Sequence, residues 1–220
     1  MQGTLYIVAT PIGNLADITS RALDVLKSVD MIACEDTRVT AKLLTNYKIS
    51  KPLLIYNEHK GLERVLKELE LGKDLAYVTD AGTPGISDPG AFLVHKAIER
   101  KIDIVPIPGP SAVAAALSAS GFRAEEFVFL GFPPHKKGRE TFFKKLAEEP
   151  RTIVLYESTH RIEKALESMA KVIPDRKIAL FRELTKKFET TYRGKPSEVL
   201  EQLKTSDTRG EFVIVIAPFG

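Results

Sequence analysis

Short runs of β-branched and apolar residues alternate with longer amphipathic stretches along the first half of the chain. The runs predict strands over residues 4–9, 30–34, 53–56, 75–79 and 103–107. Between them, apolar residues recur three and four positions apart and predict helices over residues 21–28, 37–47, 62–71 and 91–101. This alternation of strands and helices predicts an α/β fold with a largely parallel sheet covered on both faces.

The pattern changes near Gly121, where a helix of small residues over 111–120 ends and two polar turns follow. Beyond it we predict strands over residues 127–130, 152–156, 177–181 and 212–217, and helices over 140–148, 161–172 and 196–203. Residues 186–193 favour a hairpin arm, since residues 189–192 have strand propensity. We therefore expect two α/β domains, residues 1–120 and 121–220.

Residue composition narrows the class of protein. The 220 residues are 44% hydrophobic and 28% charged, as is typical of a soluble globular protein. The single cysteine, Cys34, cannot form an internal disulfide, and the four histidines show no zinc-ligand spacing, so we expect no metal site. We find neither a secretion signal nor an apolar run of the ~18 residues that a membrane span needs. A soluble protein in a reducing, cytoplasmic compartment is therefore expected.

Three loops at the carboxyl ends of the first-half strands are rich in Gly, Pro, Ser, Thr and Asp, and such loops bind ligands in open α/β sheets. The first loop, residues 8–19, has one glycine, Gly13, which either admits a ligand or makes the turn. Glu35 follows Gly13 at about the spacing of an acid that binds a dinucleotide ribose. However, the further glycines of a dinucleotide fingerprint are missing after Gly13.

The second loop, residues 78–90, contains three glycines, two prolines and two aspartates. Asp88 or Ser87 is expected to cap the next helix, with Pro89 in its first turn. Asp80 and Thr83 have no such capping role, so we expect them to contact a ligand.

The third loop begins at residue 106 and opens the helix of Ala and Ser. Its small residues allow close approach either by a ligand, with Ser111 as a donor, or by another part of the protein at a domain junction.

Basic residues cluster at the ends of the second-half strands. Residues 111–220 hold 19 basic and 15 acidic residues, a net charge of +4, whereas residues 1–110 have a net charge of −1. Tyr156, Phe188 and Tyr192 lie among these cations and could stack on bases, so the pattern favours an RNA-binding surface, although a solvated surface would look similar. The cations are Lys136, Lys137, Arg139, Arg161, Arg182, Lys186, Lys187 and Arg193.

Seven motifs occur in a fixed order: LYIVATPIGNLADITSRAL, CEDTRVTAKLL, VTDAGTPGISDPG, PGPSA, GFPP, YESTHRI and RELTKKFE. Together they span nearly the whole chain and resemble the ribosomal RNA small subunit methyltransferase I family. This family belongs to the tetrapyrrole-methylase-like class of S-adenosylmethionine (SAM) methyltransferases. The resemblance implies two α/β domains with the cofactor cleft between them, assembly as a homodimer, and 2′-O-methylation of a cytidine in the decoding centre of 16S rRNA.

The matching motifs also imply which residues bind SAM. From the first half these are Pro11, Ile12, Gly13, Asp80, Gly82, Thr83, Ile86, Ser111 and Ala112, and from the second half Tyr156, Glu183 and Leu184. Thr159 departs from the family pattern, which more often has proline there. Many members also continue beyond the last strand into a C-terminal extension, whereas this sequence ends at Gly220, just after its last predicted strand. We therefore expect RNA binding to depend on the basic loops or on a dimer partner.

Methyl transfer to a ribose hydroxyl needs an in-line approach and a group that takes the proton. Glu183, Asp80 and Glu35 are the candidates, although an N-cap role at the helix starting near Thr37 is the stronger explanation for Glu35 and its neighbour Asp36. The phosphates of 16S rRNA, or of the small ribosomal subunit, would be held by basic residues such as Arg161, Lys186 and Arg193. Two other functions stay open: methylation of a small tetrapyrrole-like substrate, and RNA binding without catalysis.

Overall fold

Two units, each built around its own five-stranded sheet, make up the protein. The computed structural model describes residues 1–57 and 59–219. Contacts divide the chain into Met1–Ser111 and a second unit that begins at Ala112. The expected α/β class with two sheets is confirmed.

The first unit contains a wholly parallel sheet, as predicted. Its strands are β1 (Thr4–Val8), β2 (Met31–Cys34), β3 (Leu53–Ile55), β4 (Leu75–Val78) and β5 (Asp103–Ile107), in the order β3-β2-β4-β1-β5. Its helices are α1 (Ser20–Ser28), α2 (Thr37–Asn46), α3 (Leu62–Glu70) and α4 (Gly90–Glu99). A short 3-10 turn at Leu15–Asp17, which the sequence pattern did not predict, lies in the first loop.

Helices cover this sheet on both faces. Leu26 of α1 and Leu44 of α2 belong to the same buried cluster as Val8, whereas Leu66 of α3 and Leu93 of α4 belong to the cluster around Leu5. The neighbouring strands β1 and β4 are therefore followed by helices on opposite faces. In open α/β sheets, ligands bind at the carboxyl ends of neighbouring strands whose helices lie on opposite faces, so this end of β1 and β4 is the expected binding position.

The second unit has a mixed sheet. Its strands are β6 (Phe127–Phe129), β7 (Thr152–Ser158), β8 (Ile178–Arg182), β9 (Thr190–Gly194) and β10 (Glu211–Ile216), in the order β6-β7-β10-β8-β9. β6 and β7 are parallel and the other pairs are antiparallel. Its helices are α5 (Ala112–Ser120), α6 (Arg139–Leu146), α7 (Ile162–Val172) and α8 (Pro196–Lys204). β9 pairs with β8 and so forms the predicted hairpin arm.

Helix α5 belongs to the second unit. Its residues Val113 and Ala116 are buried with Val154 of β7, Phe181 of β8 and Val215 of β10. The division of contacts therefore falls before α5, whereas the sequence pattern predicts a boundary after it, at Gly121. Because α5 consists mostly of small residues, its sequence does not indicate which of the two sheets it covers. In the structure its few larger side chains pack on the sheet of the second unit.

Within residues 1–57 and 59–219, no helix is long and apolar enough to span a membrane. In the same ranges, we find no group of three or more His, Cys, Asp or Glu residues arranged to hold a metal ion.

Candidate functional site

Backbone hydrogen bonds join the first and second loops of the first unit. The Thr10 amide donates to the Gly82 carbonyl at 2.9 Å, and the Gly82 amide donates to the Thr10 carbonyl at 3.1 Å. The Thr10 hydroxyl, in addition, donates to the carbonyl of Thr79 at the end of β4. The third loop joins this arrangement because the Thr83 hydroxyl donates to the Pro110 carbonyl at 2.9 Å. The three loops that the sequence singles out thus meet at one end of the sheet.

Glycines allow the loops to approach each other closely. Gly82 has a φ of +85°, a conformation that residues with a Cβ rarely adopt, and a Cβ there would lie 3.3 Å from the Ile12 side chain. In the third loop, a Cβ on Gly109 would lie 2.9 Å from the Cβ of Ala9. Pro11 is buried beside these contacts, Ile12 is half-buried and Gly13 is exposed. A side chain at Gly109 would therefore clash with Ala9, and one at Gly82 would strain the backbone and displace Ile12 slightly.

One carboxylate organises the remainder of the second loop. Asp88 accepts hydrogen bonds from the amides of Gly85 at 2.9 Å, Ile86 at 3.0 Å and Gly90 at 2.7 Å. It therefore binds the first amide of α4, but the helix begins one residue later than expected: Pro89 is the N-cap rather than a residue of the first turn, and neither Asp88 nor Ser87 occupies the cap position. Ile86, a predicted cofactor contact, is exposed on this turn.

Acidic side chains lie at the carboxyl ends of β2 and β4. Asp36 is the N-cap of α2, as the capping explanation predicted, and its carboxylate accepts from the Arg38 amide at 2.8 Å and pairs with the Arg38 guanidinium at 2.6 Å. Hydrogen bonds from the Arg38 side chain and backbone lower the pKa of Asp36 to about 2. Asp80 is an exposed residue, but partial desolvation of its carboxyl, together with the negative charge of Asp36, raises its pKa. Glu35 is half-buried at the end of β2.

Three of the cofactor residues predicted in the second unit lie on or next to its strands: Tyr156 is on β7, and Glu183 and Leu184 directly follow β8. The ring of Tyr156 packs edge-on against Phe129 at 4.9 Å and Phe132 at 5.5 Å between centroids. Burial raises the pKa of the Tyr156 phenol. Leu184 is half-buried against the core that includes α5. Ser111 and Ala112 are half-buried where the first unit ends and the second begins.

Glu183 lies in a left-handed turn, with a φ of +51°. Its carboxylate accepts from the Glu211 amide and from the Lys186 ammonium, both at 2.9 Å. Burial acts to raise the pKa of Glu183, but these two donors outweigh it and hold the pKa below its ordinary value. Lys186 also pairs with the Glu211 carboxylate at 2.9 Å. The predicted base and the predicted phosphate ligand are therefore paired with each other.

The predicted RNA-binding cations fall into two groups. Lys136, Lys137, Lys187 and Arg193 are exposed. The side chains of Arg139 and Arg161 are only 18% and 17% exposed, and each donates to a backbone carbonyl, of Pro134 and Pro133 respectively. Arg182, 7% exposed, likewise donates to the carbonyls of Arg209 and Phe188. Exposure thus leaves Lys136, Lys137 and Lys187 able to meet a phosphate, whereas Arg193, although exposed, also donates to the Ala119 carbonyl at 2.7 Å.

Glu157 is a buried carboxylate that sequence reasoning missed. It follows the apolar run 152–156, where β7 was expected to end, yet β7 continues to Ser158 and Glu157 is 1% exposed. Its carboxylate lies 3.1 Å from Arg161 and 3.8 Å from Arg139. A signal in the sequence is Arg161, which follows Glu157 four residues later in the same motif, YESTHRI.

A cavity of about 650 Å³ also lies in the second unit, lined by residues such as Phe122, Ile173, Arg176 and Phe219. Its described lining includes none of the predicted site residues.

Comparisons with known proteins identify the family of the chain. The family model for tetrapyrrole (corrin/porphyrin) methylases matches residues 4–200. Ribosomal RNA small subunit methyltransferase I of Escherichia coli O157:H7 is 47% identical over 98% of this chain and 78% of its own length. The proteins of that name from Bacillus subtilis and Thermotoga maritima are 45% and 44% identical, over 97% and 98% of this chain and 75% and 98% of their own lengths.

Solved structures show the same fold at low sequence identity. Uroporphyrin-III-C-methyltransferase from Thermus thermophilus has a TM-score of 0.69 at 18% identity, covering 98% of this chain and 94% of that one. Diphthine synthase has a TM-score of 0.74 at 16% identity, covering 98% of this chain and 90% of that one. The folds of these methylases and the close relatives lead to one conclusion: the chain belongs to the ribosomal RNA small subunit methyltransferase I family of the tetrapyrrole methylases.

Proposed function

We propose that the protein transfers a methyl group from SAM to the ribose 2′-hydroxyl of a cytidine in the decoding centre of 16S rRNA. The observation that carries this proposal is the 47% identity over 98% of the chain with a relative named for methylation of small-subunit rRNA. The choice of a cytidine 2′-hydroxyl rests on the motif resemblance.

The three joined loops of the first unit fit a SAM-binding role. SAM supplies a methyl group on a positively charged sulfur. The carboxylate of Asp80 at the end of β4 complements that charge, while Gly82 and Gly109 keep the surrounding backbone free of side chains. The contacts proposed from this unit are Pro11, Ile12, Gly13, Asp80, Gly82, Thr83, Ile86 and Ser111. Thr83 has its hydroxyl bonded to Pro110, so we assign it to shaping the loop rather than to donating to the cofactor.

Ala112, Tyr156, Glu183 and Leu184 of the second unit are further proposed cofactor contacts, taken from the family resemblance. Of these, Tyr156 offers an aromatic ring held by Phe129 and Phe132. Such a ring provides a rigid apolar surface for a ligand.

Of the candidate proton acceptors, Asp80 suits the role better than Glu183. The reacting hydroxyl must be held about 3–3.5 Å from the methyl carbon, and a nearby group must accept or orient its proton. Lys186 and the Glu211 amide occupy the Glu183 carboxylate and lower its pKa, which weakens it as a base. The pKa of Asp80 is raised, which makes its carboxylate more basic. Glu35 remains the third candidate.

The exposed cations of the second unit are the proposed phosphate contacts. Lys136, Lys137, Lys187 and Arg193 are exposed, and the Lys187 ammonium lies 5.5 Å from the ring centre of Phe188, itself 66% exposed. An exposed ring beside a cation can stack on an unpaired base while the cation meets a phosphate. Arg139, Arg161 and Lys186 are paired with carboxylates, so we assign them to the positive charge of the unit rather than to direct phosphate contact.

Labelled methyl transfer tests the proposed function. SAM with a labelled methyl group is incubated with the protein and, in parallel, with small ribosomal subunits, free 16S RNA and porphyrin precursors. The proposal expects label on the RNA that survives protease, is released by ribonuclease and is recovered as 2′-O-methylcytidine. Label on a porphyrin precursor instead would support the tetrapyrrole alternative, and RNA binding without transfer would support a nonenzymatic role. Undiminished single-turnover transfer by a variant lacking Glu183, Asp80 and Glu35 would reject all three as proton acceptors.

We further propose that the protein works as a cytoplasmic homodimer on either the rRNA or the assembled small subunit. This proposal rests on the family resemblance, and sedimentation equilibrium at several protein concentrations measures the oligomeric state directly.

A further inference from the structure

A cluster of three charged side chains lies almost out of solvent in the second unit. It consists of Glu157 on β7, Arg139 at the start of α6 and Arg161 just before α7, and we call it the Glu157 cluster. The Glu157 side chain is fully buried, and its carboxylate oxygens lie 3.1 Å from Arg161 Nε and 3.8 Å from Arg139 Nη1. The two cations and one anion leave a net charge of +1.

The two arginines hold the loop that connects β6 to α6. Arg161 donates to the Pro133 carbonyl and Arg139 to the Pro134 carbonyl, the latter at 3.2 Å. The loop is attached to β7 as well, because the Tyr156 amide donates to the Gly131 carbonyl at 2.9 Å. This loop also contains the exposed side chains of Phe132, Lys136 and Lys137.

Charge, rather than complete hydrogen bonding, holds the cluster together. Arg161 Nε, Arg139 Nη2 and Glu157 Oε2 are buried without a hydrogen-bond partner among the described residues. Without the carboxylate, two guanidinium groups would face each other in a desolvated site, which is strongly unfavourable. Glu157 is therefore required for both arginines to stay where they reach the loop carbonyls.

We propose that Glu157 is a positioning residue: through Arg139 and Arg161 it holds the loop over residues 131–138 so that Lys136 and Lys137 meet the RNA. In this role the two arginines do not themselves contact phosphate. The proposal rests on the proposed function, since RNA is the ligand that the two lysines meet.

The salt dependence of RNA binding separates phosphate contact from positioning. Each phosphate contact contributes about 0.7 to 0.9 to the slope of log K against log salt concentration. We expect Lys136→Gln to lower that slope by this amount. Arg161→Gln leaves the Glu157–Arg139 pair electrically balanced, so the fold is retained. It should weaken binding about tenfold, as expected for a lost charged hydrogen bond, because the freed loop has to be ordered again on binding. In the bound state Lys136 and Lys137 still reach their phosphates, so the slope should not change. A slope that falls as much in Arg161→Gln as in Lys136→Gln would overturn the proposal.

A charge-conserving variant provides a second criterion. Lysine at position 161 can meet a phosphate as a point charge, but it cannot reach both the Pro133 carbonyl and Glu157 with the fork of a guanidinium. We therefore expect Arg161→Lys to raise KM for RNA as Arg161→Gln does, with kcat little changed. Recovery of wild-type KM in Arg161→Lys would show direct phosphate contact instead.

A fluorescent reporter follows the loop without RNA. The chain contains no tryptophan, so Phe132→Trp supplies a single emitter within the loop. We expect Glu157→Gln or Arg161→Gln in that background to shift the emission to longer wavelength, because the freed loop becomes more hydrated. Unchanged emission in both double variants would refute positioning, whether or not RNA binds. If instead wild-type protein fails to bind or methylate RNA while the emission shifts, the proposed function fails and the loop-holding role stands.

Discussion

Thr10 and Gly82 exchange both of their backbone hydrogen bonds, at 2.9 and 3.1 Å, and thereby join the loops that follow β1 and β4. Such a pair acts as one rung of an antiparallel ladder between two loops of an otherwise parallel sheet. The geometry of the proposed cofactor site therefore depends on backbone conformation at Gly82.

Gly82→Ala should weaken SAM binding. The left-handed conformation costs an alanine roughly 1–2 kcal/mol, and the added methyl lies 3.3 Å from Ile12. Calorimetric titration with SAM measures the affinity. Gly121→Ala is the matched control, because Gly121 has a similar φ of +78° with nothing within 4 Å of an added Cβ. We expect it to lose comparable stability while keeping its SAM affinity, and equal losses of affinity in both variants would contradict the assignment.

Asp80→Asn should lower kcat with little effect on folding. Because partial desolvation raises the pKa of Asp80, the wild-type rate should fall as pH drops through that raised pKa and the carboxylate takes up a proton. The variant should lose this acid limb of the pH profile of single-turnover transfer. Asp24→Asn, an exposed change on α1, serves as the control. An unaltered acid limb in Asp80→Asn would remove Asp80 from the reaction.

Glu183→Gln should cost about 1 kcal/mol of stability at neutral pH, because the ion pair with Lys186 and the bond from Glu211 are lost. The pKa of Glu183 is depressed in the folded state, so its contribution is present above the unfolded pKa of about 4.3 and disappears as pH falls through the folded value. Urea unfolding from pH 7 down to 3 should therefore show the variant and wild type converging. Glu201→Gln, which breaks an exposed pair of equal length with Lys204, should change stability little at any pH.

Arg182→Met should destabilise the second unit by about 2–4 kcal/mol, since it leaves the carbonyls of Arg209 and Phe188 without their donor. The salt slope of RNA binding should stay as in wild type, because the side chain is buried. Lys187→Met, at an exposed position, should leave thermal unfolding nearly unchanged and lower the salt slope of RNA binding by about 0.7 to 0.9. A reduced salt slope in Arg182→Met would indicate phosphate contact.

Periodicity located the strands and helices of both units because their apolar positions repeat clearly. It ended β7 before Glu157, since a carboxylate after an apolar run resembles the start of a loop. Only the approach of Arg139 and Arg161 from other elements makes a charge acceptable inside that strand. Contacts between residues on different elements leave no periodic pattern in the local sequence, so periodicity could not predict them.

The sequence predicted which loops form the candidate site, but it did not predict what the individual side chains do there. Turn residues pointed to the loops after β1, β4 and β5, and the structure joins those loops. The count of basic residues could not separate Lys136 from Arg182, because both are cations near strand ends, whereas one is exposed and the other buried. Likewise, Thr83 is a polar residue of the kind that contacts ligands, but its hydroxyl donates to the Pro110 carbonyl.

The carboxylate of Asp88, bound to three amides of its own turn, has a consequence for the speed of recognition. A loop ordered by its own side chain loses its conformational entropy when the chain folds, so an incoming molecule meets a finished surface and does not have to wait for a rearrangement. Association with this part of the protein should then be a single fast phase whose rate rises in proportion to ligand concentration.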